Sequence, residues 1–88
     1  MKAILTVIGK DQVGIIAGVA QTLTGLEINI LDVSQTIMDD YFTMMMQLQM
    51  PQEVDFVKTK EALNAVGDQL GVKISIQNEE IFQTMHKL

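Results

Sequence analysis

The chain has no cysteine, no arginine and a single proline among its 88 residues. Without cysteine it can form no disulfide, no zinc–thiolate site and no cysteine nucleophile. Without arginine it lacks the side chain that binds phosphate through two parallel hydrogen bonds, and a net charge of −5 repels nucleic acid and anionic membranes. These absences argue against nucleic acid and membrane surfaces as partners.

Long apolar runs are also missing, so no segment is expected to span a bilayer. Met1-Lys2 leads directly into a strand pattern rather than a secretory signal, and we therefore expect a cytoplasmic protein. The apolar fraction of 48% is high for one domain spanning residues 1–88. So small a domain cannot bury that much apolar surface in itself, which predicts a homodimer.

What the chain does contain is a unit that occurs twice. Residues 25–30 and 71–76 both read glycine, apolar, charged, isoleucine, polar, isoleucine, and a helical pattern precedes each glycine. We expect Gly25 and Gly71 to end the two helices in the left-handed conformation, with a strand after each. Further strands at 2–8 and 41–50 complete β-α-β-β-α-β, an α+β ferredoxin-like fold with a four-stranded antiparallel sheet and two helices on one face.

Three details support this order. Asp39-Asp40 reads as a hairpin turn, and Pro51 ends the third strand. Met45 alternates to the opposite face from Met44 and Met46, so the three methionines cannot chelate one metal. The second strand loses its alternation after Ile30, which a bulge or burial of both faces would explain.

A short helix is expected after the core of residues 1–78. Asn78 can cap it, Glu79 and Glu80 suit its first turn, and residues 79–88 carry an apolar stripe. That stripe consists of Ile81, Phe82, Met85 and Leu88. His86, the one histidine, has no second ligand nearby, so no metal site and no cofactor are predicted.

The turn between the first strand and the first helix combines two glycines with a carboxylate. It reads Gly9-Lys10-Asp11-Gln12-Val13-Gly14-Ile15. In one interpretation Asp11 caps the helix and Gly14 lets it pack closely on the sheet. In the other, free N–H groups and the helix dipole bind a carboxylate while Asp11 receives an ammonium, as a zwitterionic amino acid would require. Ile15 and Ile16 stand where a nucleotide-binding loop needs lysine and serine or threonine.

Asn29 begins the second strand, with Ile30 behind it. In a β-α-β unit this end of the strand is far from the Asp11 turn of the same chain, although a turn from a second subunit could reach it. Asn29 is otherwise an ordinary exposed strand residue. Asp32, Ser34 and Gln35 either edge a pocket or face water.

Taken together, the Asp11–Ile16 turn and the strand from Asn29 to Thr36 resemble the ACT domain family over residues 1–78. The final segment is similar to that of small stand-alone bacterial ACT proteins, which resemble the ACT modules of the glycine-cleavage repressor. The resemblance implies a regulatory module that binds an amino acid between the first turn of one subunit and the second strand of the other. On that basis the expected ligand-binding residues are Asp11, Gln12, Val13, Gly14, Ile15, Asn29 and Ile30.

One position departs from the family pattern. Gly9 stands where some serine-binding members carry histidine, which removes one contact to such a ligand.

We therefore expect a non-catalytic homodimeric sensor whose output passes to an effector protein that the sequence does not identify. A structural or assembly module with no ligand is the alternative. An acylphosphatase-like hydrolase is disfavoured because that chemistry uses arginine, and RNA binding through the sheet is disfavoured by the missing basic patch.

Overall fold

The computed structural model describes residues 1–10, 14–53 and 55–80. The elements follow in the order β1 (Lys2–Lys10), α1 (Ile15–Gly25), β2 (Asn29–Met38), β3 (Tyr41–Gln49), α2 (Phe56–Leu70) and β4 (Val72–Asn78). This is the predicted β-α-β-β-α-β order.

The four strands form one antiparallel sheet in the order β2-β3-β1-β4. The two strands that enter the helices, β1 and β3, lie in the centre, while β2 and β4 form the edges. Both helices pack on the same face, which confirms the ferredoxin-like fold.

The hydrophobic core lies between the sheet and the two helices. Alternation along the central strands sends every second side chain into it, as expected for a sheet covered on one face. Met44 and Met46 are buried there while Met45 points to the other face, as predicted. The core residues with no exposure at all are Ala3, Leu5, Val7, Val19, Leu23, Met44 and Leu48.

The two helices end differently, which corrects one prediction. Gly71 follows α2 with φ 72, in the expected left-handed conformation. Gly25, however, is the last residue of α1, and the left-handed residue on that side is Glu27, with φ 60. The chain inserts a short loop before β2 so that Ile28 can be buried, and this moves the reversal two residues past the glycine.

The interruption of β2 is a bulge. The pairing with β3 shifts between Ile30 and Asp32, so Leu31 is the extra residue. The alternative expectation, burial of both faces, is wrong. Every residue from Leu31 to Met38 is exposed, so neither face of this part of β2 is buried within the subunit.

Turns and caps follow the local sequence. Met38 pairs with Tyr41, so Asp39-Asp40 is a two-residue hairpin turn, and Asp39 adopts φ 55. The Asp55 carboxylate accepts a hydrogen bond from the Lys58 N–H at 3.1 Å and caps α2.

A helical segment begins directly after β4. Asn78 Oδ1 accepts a hydrogen bond from the Glu80 N–H at 2.8 Å, as predicted for the cap. The apolar stripe of residues 81–88 lies outside the described residues. Within the described part of the chain, neither helix is both long enough and apolar enough to cross a membrane.

Candidate functional site

The turn after β1 leads into α1 through a glycine in an unusual conformation. Gly14 is the N-cap of α1 and has φ 92, in the left-handed region. Among the described residues, a Cβ there would meet nothing within 4 Å, and Gly14 is exposed. Ile15 follows with only 2% exposure and anchors the first helical turn in the core. The start of α1 is therefore fixed in position and open to solvent.

One expectation for this turn needs correction. Gly14 is itself the N-cap of α1, and it makes no close approach to the sheet. Glycine is needed here because of the left-handed backbone conformation, and not because space is lacking. Asp11, Gln12 and Val13 lie outside the described residues.

Asn29 and Ile30 lie at the opposite end of the sheet from Gly14. Asn29 pairs with Gln49, which pairs in turn with Lys2 at the start of β1. The turn follows Lys10, eight residues along the same strand, and eight strand residues span about 26 Å. One protomer therefore does not bring the predicted site residues together. Asn29 is exposed, whereas Ile30 is half-buried against the core.

An uncharged surface joins β2 to α1 on the helical side of the sheet. The register places Val33 opposite Met46 and Ile37 opposite Phe42, so both face this side, yet both are exposed. Ile16 of α1 is exposed as well, and none of the eleven residues of α1 carries a charge. An edge strand of this length with unpaired backbone groups and apolar side chains is a site for pairing with another strand.

The composition predicted a buried interface but not its location. The sequence does carry a signal for it, since β2 holds one charged residue in ten and α1 holds none. Only the tertiary structure shows that β2 is an edge strand and that α1 contacts it.

The face of the sheet opposite the helices holds a shallow hollow of ≈ 190 Å³. It is lined by Ile4, Met45 and Gln47 of the central strands and by Asp32 and Ser34 of β2. Asp32 and Ser34 therefore edge a pocket, while Gln35 does not line it. A second cavity of ≈ 180 Å³ lies between α2 and β4. No group of three or more metal-ligating acids or histidines occurs within residues 1–10, 14–53 and 55–80.

Gly9 lies near the end of β1 in close contact with β4. A Cβ at this position would come within 2.6 Å of Val72 Cγ1 and 3.2 Å of Val72 Cα. A side chain here, such as the histidine of some serine-binding ACT domains, has no room unless β4 moves.

Comparison with known proteins agrees with this geometry. A family profile for the ACT domain matches residues 2–77. A UPF0237 protein of Listeria innocua is 62% identical over 91 residues, and the match spans 100% of both chains. A UPF0237 protein of Streptococcus mutans is 47% identical over 88 residues, again across 100% of both chains.

Solved structures give the same result. An ACT domain protein from Streptococcus pneumoniae is 47% identical and superposes with a TM-score of 0.85 over 94% of each chain. A putative glycine cleavage system transcriptional repressor is 18% identical and shares the fold, with a TM-score of 0.78 over 86% of this chain and 45% of that one. The matched profile, the relatives and the observed strand order agree, and the chain belongs to the ACT domain family.

Proposed function

We propose that this protein is a homodimeric regulatory module that binds an amino acid at the interface between its two subunits. The observation that carries the proposal is the exposure of β2 at the edge of the sheet. This is an edge strand of ten residues that pairs only with β3 among the described residues, five of the ten are apolar, and its side chains from Leu31 to Met38 are exposed. The helix that contacts it, α1, carries no charge.

Antiparallel pairing of β2 with its copy across a two-fold axis uses this edge. Such pairing reverses the strand, so the start of one β2 lies beside the end of the other. The end of β2 at Met38 is aligned, through Tyr41, with Lys10 and the turn that follows it. The partner subunit's Asn29 would therefore lie at the end of the sheet that carries Gly14, and each dimer would hold two equivalent sites.

The chemistry of that site suits a zwitterion. The N–H groups from Gln12 to Ile15 and the positive end of the α1 dipole would bind the carboxylate. Asp11 would receive the ammonium, and the partner's Asn29 would supply a donor and an acceptor. Ile30 would pack behind it. Binding would fix the two subunits relative to each other, and a separate effector protein would respond to that change.

Calorimetric titration with the twenty amino acids tests the binding, with Asn29→Ala as the variant. Asn29 makes none of the side-chain hydrogen bonds found among the described residues, so its loss should weaken binding while leaving the dimer intact. Gln49→Ala is the matched control. Gln49 is the cross-strand neighbour of Asn29, but it lies on the central strand β3, away from the edge proposed to pair with the second subunit.

Mixed dimers test whether the site is shared. A dimer of one Asp11→Ala subunit and one Asn29→Ala subunit has both defects in one site and none in the other. Mixed dimers purified through two different tags should therefore bind one ligand, whereas either variant alone binds weakly at both sites. A mixed dimer that binds no better than its parents would contradict the shared site.

The alternative function is a structural or assembly module with no ligand. The close contact between Gly9 and Val72 supports it, because it removes a ligand-contacting side chain present in some relatives. If none of the twenty amino acids at millimolar concentration produces heat or a chemical-shift change, this alternative replaces the sensor.

A further inference from the structure

The strand β4 forms the second edge of the sheet, on the far side from β2. Among the described residues it pairs only with β1, from Val72 opposite Gly9 to Asn78 opposite Ala3. Proline, several charges or a bulge usually protect an edge strand from further pairing. The seven residues of β4 contain no proline, one lysine and no shift in register. This edge is therefore open to another strand.

The hydrogen bonds of the sheet identify which backbone groups lie at that edge. The Met50 N–H donates to the Met1 carbonyl at 2.8 Å, and the β1–β3 register places these two residues directly opposite each other. In an antiparallel pair, a position bonded in this way recurs at every second residue. The odd-numbered residues of β1 therefore bond to β3, and its even-numbered residues bond to β4.

The same alternation leaves every second residue of β4 with its backbone groups directed outward. Lys73, Ser75 and Gln77 pair with even-numbered residues of β1 and so bond to that strand. The N–H and C=O groups of Ile74 and Ile76 therefore point away from β1, and no hydrogen bond found among the described residues uses them. The side chains of both isoleucines are buried toward the helices.

A strand added at this edge would direct side chains into the cavity between α2 and β4. Residues directly opposite each other in a sheet project to the same face. The residues opposite Ile74 and Ile76 would therefore project to the helical side, where Lys60, Leu63 and Asn64 line the cavity of ≈ 180 Å³. Backbone pairing combined with a pocket for alternate side chains is how a sheet edge recognises an extended peptide.

The lining of the cavity indicates which side chain it suits. Leu63, Ile74 and Ile76 supply apolar walls, and among the described residues that line it only Lys60 is charged. The Lys60 ammonium lies 5.8 Å from the centroid of the Phe56 ring. A glutamate has a methylene stem for the apolar walls and a carboxylate for the ammonium. We propose that β4 binds an extended segment of a second protein by strand addition, with a glutamate in the cavity beside Lys60.

A second copy of this chain fits the edge less well. Its own β4 would present Val72, Ile74 and Ile76 on the helical side and so bring no carboxylate to Lys60. Pairing of copies at both β2 and β4 would also extend the sheet without closing it. This choice of partner rests on the proposed function, which assigns β2 to the dimer and requires a separate effector protein.

Amide hydrogen exchange tests the edge in the full-length protein alone. The amides of Ile74 and Ile76 should exchange at least about ten-fold faster than those of Lys73 and Ser75, which are bonded to β1. Slow exchange at both isoleucines would overturn the proposal. If it is independent of protein concentration, the edge is covered within the chain, and if it increases with concentration, a second copy covers it.

A synthetic peptide in which glutamate and valine alternate with threonine is the probe for binding. It should slow the exchange of the Ile74 and Ile76 amides. N-methylation of its glutamate and valine, whose N–H groups would face β4, should abolish binding, whereas N-methylation of its threonines should not. The proposal fails if the unmodified peptide gives no protection at millimolar concentration, or if the two methylated peptides bind equally.

Charge reversal tests the position of the glutamate. Lys60→Glu should weaken binding of the peptide at least about ten-fold and strengthen binding of a peptide that carries lysine in place of glutamate. Lys58→Glu is the matched control, because Lys58 is exposed on the same helix but does not line the cavity. Equal effects of the two variants would overturn the proposal.

Sedimentation and amino-acid titration of the same proteins separate this proposal from the proposed function. Lys60 takes no part in pairing through β2 or in the amino-acid site. Peptide binding by a protein that is monomeric and binds no amino acid would therefore remove the sensor and keep the docking edge. A dimer that binds an amino acid but not the peptide would do the reverse.

Discussion

At the scale of single residues, Gly14 and Gly9 are both required, for different physical reasons. Gly14 has open space around it but a φ of 92, whereas Gly9 has ordinary backbone angles but no space. The first requirement concerns the backbone and the second concerns packing, so the two sites respond to different substitutions.

Gly14→Ala should destabilise the protein by roughly 1–2 kcal/mol, because a Cβ strains the left-handed conformation. Gly25→Ala is the matched control. Gly25 also has nothing within 4 Å of a built Cβ, but it lies in α1 without a positive φ. There alanine should be neutral or stabilising by up to about 1 kcal/mol. Urea unfolding measures both, and equal effects would contradict the assigned conformation of Gly14.

Gly9→Ala should cost roughly 1–3 kcal/mol through overpacking against Val72. In a double-mutant cycle, Val72→Ala should relieve part of this cost, because it removes the Cγ1 atom that the new Cβ would approach to 2.6 Å. Thermal and urea unfolding of the four proteins give the coupling free energy. A coupling of zero would show that the cost arises elsewhere.

At the scale of secondary-structure elements, β2 and α2 contrast. The β2 strand leaves apolar side chains exposed along its outer part, while α2 is an amphipathic helix with its own cap at Asp55. The helix α2 therefore buries its apolar face and satisfies its first turn within its own subunit. The exposed surface of β2 needs a partner to be buried.

Ile37→Lys should dissociate the dimer without unfolding the subunit, because Ile37 is 54% exposed in the protomer. Each lysine would lie beside the start of the partner's β2, where its charge would be taken out of water without a partner, and we expect the dissociation constant to rise on the order of 100-fold. Val57→Lys is the control, since Val57 is exposed on α2, away from β2. Analytical ultracentrifugation measures the mass of each variant. A stable dimer of the Ile37 variant would contradict pairing through β2.

Asp55→Ala should lower the free energy of unfolding by about 1 kcal/mol, because the Lys58 N–H loses its acceptor at the start of α2. Asp68→Ala serves as the control. Asp68 lies in the last turn of α2, where a negative charge opposes the helix dipole, so its loss should be neutral or slightly stabilising. Urea unfolding distinguishes the two variants, and equal losses would argue against the cap.

At the scale of the whole molecule, a subunit of this size with an exposed apolar edge should gain stability from association. We expect a homodimer at micromolar concentration. Each ten-fold increase in protein concentration should stabilise the folded dimer by about 1.4 kcal/mol. The melting temperature should therefore rise with protein concentration. Calorimetry over a hundred-fold range of concentration measures this. A constant melting temperature together with the mass of one chain would rule out the dimer and the shared site.

By itself the sequence determined the order of the elements, the alternation of Met44, Met45 and Met46, the hairpin at Asp39 and the cap at Asn78. Each depends on residues close together in the chain, where backbone preference and side-chain period act directly. The same local reasoning failed at Gly25, because the burial of Ile28, a tertiary requirement, moved the chain reversal to Glu27.

Only the tertiary structure decided which surfaces remain free. The sheet order places β2 at an edge, where Val33 and Ile37 are exposed. It also separates Gly14 from Asn29 by the length of β1. Such relations depend on residues distant in sequence, and no local pattern encodes them. This separation is why the proposed site would need a second subunit.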